Sequence, residues 1–505
     1  MTRLIELLRK LRSRIVQYLL MSPWFVVGLL MRLLYGFRVE GAENVPREGA
    51  FILLLSEFGV ICFLVSGWIS IMLLKDRVFK SPDKVLSYMQ EDLFALPYFR
   101  NAANKVQFMH ALVPHSAGQL ALGLIDGYKV LQKGGLVVMN PEGDMRWDGR
   151  PLPIGAAAAW LGLYTAAPIL PAIPEASAYD IWPRWQVGPS LRGRVVLRIG
   201  QPFQLCDTPQ KQVTDDDLAE ANARIRQEFD LLRYGPGGVS EWIGPPLRDG
   251  VPVEQPIQLR PAAEPIVAGE AADDTQVPVW RRGIPTLLWR CPACHTNDAL
   301  IHQRPRFRPQ TVICQACDTR WKMQRVMGKD FRLKVVEGPA DWVGLDMALS
   351  TWYDEMKRDF QPSPVTVSGA DLLPGEEVYL EVSSSSLSPY QPNALFDGWN
   401  GREPPQAQLP GRHELGDWVS IGEGRLLLTS HRLLWQGAPG ELDFTWSSMT
   451  AVSIWMVNTL GIRYGTASYR FSLGQETGLK WLTYAGTLAL QAAEREGHEV
   501  TVTPF

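Results

Sequence analysis

Apolar residues crowd the beginning of the chain. From Ile15 to Phe37 nearly every position is apolar, and the preceding residues place leucines against arginines as in a basic amphipathic helix. The aromatic residues in this stretch belong to the types that favour the boundary between lipid and water. Pro23 and Arg32 interrupt the apolar run, which disfavours a straight transmembrane span. The pattern therefore predicts that residues 1–38 form a membrane-associating helix that lies on the bilayer or is half embedded in it.

A second apolar run, Phe51 to Leu74, is broken only by Glu57 and a few small polar residues. By length alone it is sufficient to cross a bilayer. Its beginning, FILLLS, is rich in residues that suit strands, and a turn-like segment, EGAENVPREGA, precedes it. A buried strand followed by a helix is the preferred interpretation.

Residues 76–235 alternate short apolar strands with helical patterns. Strands are predicted at Leu136–Met139, Ile169–Ile173 and Val195–Ile199, and helices at Ser116–Gln132, Ile154–Leu163 and Asp215–Leu232. This alternation predicts an α/β domain over residues 39–233.

The remainder of the chain divides by composition. Prolines recur without a hydrophobic period over 234–286, which predicts a linker. A cysteine-bearing module is predicted at 287–328, and a connector with a helix at 329–370. Residues 371–496 alternate as strands do and end in a helix from about Glu476 to Glu496.

Composition narrows the functional classes. Hydrophobic residues make up 46% and charged residues 20%, and the net charge is −3. Without an overall basic excess, nucleic acid is an unlikely partner. Six cysteines, four of them in two Cys-x-x-Cys pairs, indicate a reducing compartment.

Four segments in order resemble the glycerolipid acyltransferase family of lysophosphatidate acyltransferase type. They are the turn Gly41-Ala42-Glu43-Asn44-Val45-Pro46, the block NPEGDMRWDGRP that begins at Asn140, the proline-bracketed strand APILPAIP, and the late strand VVLRIGQPF. The resemblance covers about residues 39–205. It implies an α/β acyltransferase-like domain on the cytoplasmic face of a membrane, with transfer of an acyl group from acyl-CoA or acyl-carrier protein to a lysolipid.

The chain departs from the family at its catalytic motif. A His base activates the acceptor hydroxyl in that family, and an Asp five residues later orients the imidazole. Aligned on the strand end, Ser56 stands at the position of the motif's Asn, Glu57 at that of the His and Cys62 at that of the Asp. A second block places His115 where the family has a phosphate-binding Arg.

The substrate-binding block is retained. Glu142, Gly143 and Arg146, together with His115, are the candidate residues for holding the acceptor, with a turn-forming carboxylate as the alternative role for Glu142. Three alternatives remain open: transfer chemistry is lost, Glu57 or a displaced His110 or His115 serves as base, or the alignment is shifted. The corresponding functions are a membrane-bound acyltransferase and a catalytically inactive lipid-binding scaffold.

Two Cys-x-x-Cys pairs lie about twenty residues apart. Cys291, Cys294, Cys314 and Cys317 have the spacing of a zinc ribbon, in which each pair gives two of the four sulfur ligands of structural Zn²⁺. A redox dithiol is the alternative. Such a module serves structure or protein docking.

The last region contains Gly424-Arg425-Leu426-Leu427-Leu428-Thr429 followed by Arg432-Leu433-Leu434-Trp435. These residues resemble the strand, turn and strand of GRAM and PH-like domains. The resemblance implies a β-rich domain capped by a C-terminal helix that binds membrane lipids or proteins. A docking or purely structural role is the alternative.

Overall fold

The computed structural model describes most of the chain. The described residues are 24–56, 59, 61–74, 77, 84–89, 109–111, 117–174, 179, 181–186, 188–190, 193–236, 245–253, 283–305, 308–326, 330–392, 416–438, 440–455 and 457–503. Glu57 and His115 lie outside these residues, as do 1–23 of the predicted amphipathic helix.

The first unit is a seven-stranded mixed sheet with helices. Its strands are β1 Arg38–Glu40, β2 Phe51–Leu55, β3 Val85–Met89, β4 Met109–Ala111, β5 Leu136–Met139, β6 Ile169–Pro174 and β7 Val196–Ile199, in the order β1-β7-β6-β2-β5-β3-β4. Only the pairing of β6 with β7 is antiparallel. The helices are α1 at 24–35, α2 Ile61–Trp68 with a π-helical continuation Ile69–Leu73, α3 Ala117–Gln132, α4 Ala156–Thr165 and α5 Asp215–Tyr234. The α/β layer predicted from alternation is confirmed.

Strand β2 lies at the centre of this sheet. All five of its side chains are buried, because neighbouring strands cover both of its edges and helices cover the sheet faces. The second apolar run is thus a buried strand followed by a helix. Within the described part of the chain, no helix combines the length and apolar character needed to cross a membrane.

Helix α1 packs on α2 through a reciprocal contact. The ring of Trp24 occupies the space beside Gly67, and the ring of Trp68 occupies the space beside Gly28. A glycine at each position leaves room for the opposing indole. The contact fixes one side of α1 to the domain and leaves its other side outward.

The second unit is an antiparallel sheet of seven strands. They are β8 Leu247–Arg248, β9 Val251–Pro252, β10 Leu300–Gln303, β11 Thr311–Cys314, β12 Arg320–Gln324, β13 Arg332–Glu337 and β14 Leu345–Ala348, in the order β10-β11-β12-β13-β14-β8-β9. Two helices accompany it, α6 Ile284–Leu287 and α7 Leu349–Lys357.

This sheet differs from the predicted domain organisation in two ways. The hairpin β8–β9 comes from the segment predicted to be a linker, and it pairs with β14. Strands β12 and β13 pair across the predicted boundary at residue 328. The hairpin turns at Asp249 and Gly250, both with positive φ, and its two-residue strands are too short to show an alternating pattern.

The third unit is a nine-stranded sheet with one capping helix. Its strands are β15 Val378–Pro392, β16 Gly416–Trp418, β17 Gly422–Thr429, β18 Arg432–Gly437, β19 Gly440–Thr445, β20 Met449–Trp455, β21 Thr459–Tyr464, β22 Ala467–Ser472 and β23 Thr501–Thr503. Helix α8, Gly478–Glu496, packs against β20 and β21. Its β-rich character and terminal helix match the sequence prediction, whereas its assignment as GRAM or PH-like stays a prediction.

Candidate functional site

Two segments that carry candidate residues meet at the carboxyl edge of the first sheet. Strands β2 and β5 are parallel neighbours, with Leu54 opposite Met139. Ser56 follows β2, and Asn140 begins the loop after β5. Since parallel strands end at the same sheet edge, the loop at 140–146 lies beside Ser56.

Glu142 and Arg146 form a buried ion pair in this loop. Nε of Arg146 donates to Oε2 of Glu142 at 2.7 Å, and Nη2 of the same guanidinium contacts Oε1. Their side chains are 2% and 1% exposed. Ser56 joins the pair, because its Oγ accepts a hydrogen bond from Arg146 at 3.2 Å and lies 3.5 Å from Oε1 of Glu142. The three side chains form one compact polar cluster, which we call the strand-end cluster.

Further donors saturate the Glu142 carboxylate. The backbone N–H of Leu152 donates to Oε2 at 3.3 Å, and Nη1 of Arg226 donates to Oε1 at 3.4 Å. Burial alone would raise the pKa of Glu142, but the charges of Arg146 and Arg226 and the hydrogen bonds from Arg146 and Leu152 lower it. The carboxylate is therefore ionised at neutral pH and is a weak proton acceptor.

The side chain of Asn140 holds the backbone of the loop that carries Glu142. Oδ1 of Asn140 accepts a hydrogen bond from the backbone N–H of Glu142 at 3.0 Å, and Nδ2 of Asn140 donates to the carbonyl of Asp144 at 3.1 Å. Gly143 has a φ of 71°, which a side chain would strain. Asn140 therefore forms the turn with its side chain, and the positive φ explains why a glycine stands at position 143.

Helix α5 brings further positive charge next to the strand-end cluster. The pKa of Arg233, on α5, falls to about 10 because of burial and the nearby charge of Arg146. Helix α5 thus brings two arginines, Arg226 and Arg233, to the edge where Ser56 and Arg146 lie. Arg226 was not a candidate from the sequence, because the 84 residues that separate it from Glu142 leave no local signal.

Cys62 lies in the first turn of α2, is fully buried and belongs to the hydrophobic core. The other two predicted positions, Glu57 and His115, are outside the described residues. The histidines with described side chains, His295, His302, His431 and His498, belong to the later units.

The early turn and the late strand of the family resemblance are in contact. Strand β1 pairs in parallel with β7, and Nδ2 of Asn44 donates to the carbonyl oxygen of Ile199 at 3.0 Å. Gly41 has a φ of 78°, and a side chain there would collide with the same carbonyl. The motif residues Gly41 and Asn44 therefore close the sheet edge rather than contact the strand-end cluster.

The four predicted metal ligands converge. The sulfur atoms of Cys291, Cys294, Cys314 and Cys317 all lie within 4.8 Å of one another. The Cys291–Cys317 distance is 3.9 Å and the Cys294–Cys314 distance is 3.7 Å. Zinc–sulfur bonds of about 2.3 Å in a tetrahedron require sulfur separations of about 3.8 Å. The thiols have the number, spacing and burial of a four-cysteine metal site.

The two halves of this cysteine centre repeat one turn. In each half the pattern is Cys-x-Ala-Cys-x-Thr, and the residue after the second cysteine has a positive φ, 58° at His295 and 56° at Asp318. The threonine hydroxyls, at Thr296 and Thr319, each lie 3.2 Å from the sulfur of that second cysteine. The sequence carries this repeat, whereas the prediction of a metal site rests on the spacing of the cysteines.

A buried arginine lies beside the four thiols. Burial raises the pKa of Cys291, and hydrogen bonds among the sulfur atoms lower the pKa of Cys294. Burial lowers the pKa of Arg290, and the nearby Tyr484, Cys294 and Cys291 oppose this effect only in part. Four thiolates around a divalent cation carry a net negative charge, which Arg290 partly offsets.

Comparison with known proteins gives a similarity among solved structures. No family model and no curated protein matches the chain. Among solved structures, the chain is similar to the 1-acyl-sn-glycerophosphate (LPA) acyltransferase PlsC from Thermotoga maritima. The sequence identity is 17% and the TM-score 0.32, and the alignment covers 44% of this chain and 82% of that protein.

Proposed function

We propose that this chain is a membrane-associated, acyltransferase-like scaffold that binds a glycerolipid through its first unit and does not transfer an acyl group. The observation that carries the proposal is the burial of Cys62 in the hydrophobic core, at the position where the resemblance expects the Asp that orients the base. The nearby Glu142 carboxylate already accepts from Arg146, Arg226 and the Leu152 amide, so it holds the loop and is a poor substitute base.

The substituted motif supports the same conclusion. Cys62 stands where the resemblance expects the orienting Asp, and its burial in the core is suited to packing rather than to polarising a base. Glu57 stands where the base is expected. The ordinary pKa of a Glu carboxyl, about 4.3, is about two pKa units below that of imidazole, so its carboxylate is the weaker base.

Membrane attachment is proposed from helix α1. Its outward side carries six exposed apolar side chains: Phe25, Val26, Leu29, Leu30, Leu33 and Leu34. Leu33 is 73% exposed. A row of this kind on a helix that is fixed to a domain suits insertion into the cytoplasmic face of a membrane.

The metal of the cysteine centre is proposed to be Zn²⁺ in a structural role. Four thiolates in tetrahedral spacing, all supplied by the protein, leave no open position for a substrate. The second and third units then serve as docking modules for protein partners, with nucleic acid an unlikely partner.

Acyl transfer is the second candidate function. Glu57 follows Ser56 in the sequence, and the Ser56 hydroxyl lies in the strand-end cluster. Arg146 and Arg226, which contact that cluster, are residues of the type that binds a phosphate. In that case Glu57 or His115 serves as the base, and the donor is acyl-CoA or acyl-carrier protein.

The deciding experiment measures thioester consumption and lysolipid binding on the same purified protein. We expect wild type to bind lysophospholipid vesicles without consuming acyl-CoA or acyl-carrier protein thioester. Glu57→Gln is expected to change neither measurement, because a scaffold needs no general base at that position. Transfer by wild type that Glu57→Gln abolishes contradicts the scaffold function and establishes Glu57 as the base.

A further inference from the structure

The first turn of the cysteine centre contacts helix α8 of the third unit. Three and four residues after Cys294, the amide of Asn297 donates to the hydroxyl of Tyr484 at 2.7 Å, and the carboxylate of Asp298 pairs with Lys480. Both partners lie on α8, almost 190 residues further along the chain. The segment that holds two of the four cysteines is therefore also the surface on which the third unit rests.

The ion pair in this contact depends on Asp298. Lys480 is 6% exposed, and its Nζ lies 2.8 Å from Oε2 of Glu476 in addition to its contact with Asp298. Burial would lower the pKa of Lys480, but the two carboxylates raise it, so the ammonium stays charged. A buried ammonium that loses a carboxylate partner is strongly unfavourable.

Aromatic rings and one further hydrogen bond complete the contact. The Tyr484 ring lies 4.7 Å from Phe360 and 5.7 Å from Trp289, which is two residues before Cys291. At the beginning of α8, the hydroxyl of Thr477 donates to the carbonyl of Thr286 at 2.8 Å. The contact thus involves residues on both sides of the first cysteine pair.

The backbone conformation that presents these residues is held by the turn around the sulfurs. Asp298 has a φ of 56°, in the left-handed region, and its N–H donates to the carbonyl of Trp289 at 2.8 Å. The N–H of Cys291 donates to the carbonyl of Thr296 at 2.9 Å. In a four-cysteine site the metal supplies much of the free energy that holds such a turn.

We propose that metal occupancy of the cysteine centre controls the docking of the third unit on the rest of the protein. With the metal bound, Asn297 is held in hydrogen-bonding distance of Tyr484, and Asp298 is held in contact with Lys480. Without the metal, the turn relaxes, the contact with α8 opens, and the third unit moves on the connecting segment 361–377. The inference rests on the proposed zinc, although it concerns docking rather than the lipid site.

The experiment follows hydrogen exchange of the full-length protein in three states: as purified with its metal content measured, after a zinc chelator, and after zinc is restored. We expect chelation to raise exchange about tenfold or more in 289–298 and 476–488, and zinc to reverse it. Proteolysis within 361–377 is expected to accelerate in parallel.

A variant away from the ligands separates docking from metal binding. Asn297→Ala with Lys480→Met is expected to accelerate cleavage within 361–377 while one zinc per chain remains bound. Gln436→Ala, which removes an exposed hydrogen bond to Glu441 within the third unit, is the matched control and is expected to change neither measurement.

Two outcomes overturn the proposal, and they are distinguishable. If a protein with one zinc per chain keeps its exchange protection in α8 after the zinc is removed, the docking inference is wrong and the proposed metal stands. If freshly purified, reduced protein contains no metal and α8 is fully protected, both the metal and the docking inference are wrong.

Discussion

At the residue scale, two buried carboxylates have opposite environments. Glu142 is surrounded by donors that favour its charge, and its pKa is lowered. Asp330 is 1% exposed, and burial, together with the charge of Asp148, raises its pKa to about 7 although the Ser350 amide donates to it at 2.8 Å. The first carboxylate stabilises the fold when ionised, and the second when protonated.

Replacing Glu142 by Gln leaves Arg146 buried with a weaker partner. We expect a loss of about 3–5 kcal/mol in the free energy of unfolding at neutral pH. Because the pKa of Glu142 is lowered in the native state, the full difference in stability between wild type and variant is present at neutral pH. It shrinks in acid, as the pH falls through the lowered pKa. Denaturant unfolding of the variant at several pH values measures it, with exposed Glu441→Gln as control. Equal stability at neutral pH contradicts the structural role.

The raised pKa of Asp330 predicts that stability depends on pH in the opposite direction. The native state holds the proton up to about pH 7 while the unfolded chain releases it near its ordinary pKa, so stability is lost as the pH rises through this interval. Asp330→Asn is therefore expected to gain about 2–3 kcal/mol relative to wild type between pH 5 and pH 8. Unfolding curves at the two pH values measure the gain.

The neighbouring carboxylate supplies the control for that prediction. Asp148→Asn removes the like charge that helps to raise the pKa of Asp330, so the loss of stability should end at a lower pH and be smaller in total. A stability difference between wild type and Asp330→Asn that does not vary with pH shows that Asp330 is ionised throughout.

At the element scale, the packing of α1 on α2 decides which side of α1 faces outward. Trp24 lies against Gly67 and Trp68 against Gly28, so each indole is accommodated by the absence of a side chain on the opposing helix. Met31 and Tyr35 are buried on the same side of α1. The apolar side chains on the opposite side of α1 are therefore turned outward.

Gly67→Leu should displace the Trp24 ring and release α1. We expect hydrogen exchange in residues 24–35 to increase about tenfold, because overpacking of a tight contact costs about 1–3 kcal/mol. Leu33→Ala changes an exposed side chain of the same helix and serves as the control. Unchanged protection of 24–35 in Gly67→Leu means that the helix is held elsewhere.

At the scale of the whole molecule, three sheets are connected by specific contacts. Arg150 of the first unit forms a two-pronged ion pair with Asp354 on α7, with distances of 2.6 and 3.0 Å. Trp185 of the first unit packs on Phe331 of the second at 5.0 Å. Lys480 and Tyr484 then link the third unit to the cysteine centre. The units are joined by contacts that can be tested individually.

Membrane attachment is a property of the whole molecule that two substitutions test. Leu29→Glu with Leu33→Glu places charge on the outward side of α1 and should reduce flotation with anionic vesicles by about tenfold or more, since each buried Leu contributes about 1.5–3 kcal/mol. Val251→Glu alters a side chain that is 66% exposed on the β8–β9 hairpin and should leave flotation unchanged. Equal flotation of all three proteins rules out α1 as the attachment site.

The sequence by itself determined the elements whose signals are local. Strand β5 lies at Leu136–Met139 as predicted, and α5 begins at Asp215, where Thr214 and Asp217 form a capping box. The four cysteines could be identified because one metal ion needs ligands of one type at a short, regular spacing. Hydrophobic periodicity and ligand spacing are both properties of neighbouring residues, so the sequence shows them directly.

The tertiary structure decided what depends on distant residues. Arg226 reaches Glu142 only because α5 returns to the carboxyl edge of the sheet, and the hairpin β8–β9 becomes part of a sheet only because β14 offers an edge. The contact of Asp298 with Lys480 likewise joins two units that the sequence shows as separate. Chain folding sets these distances, and the physical reason is that burial and charge pairing select partners by their position in space rather than along the chain.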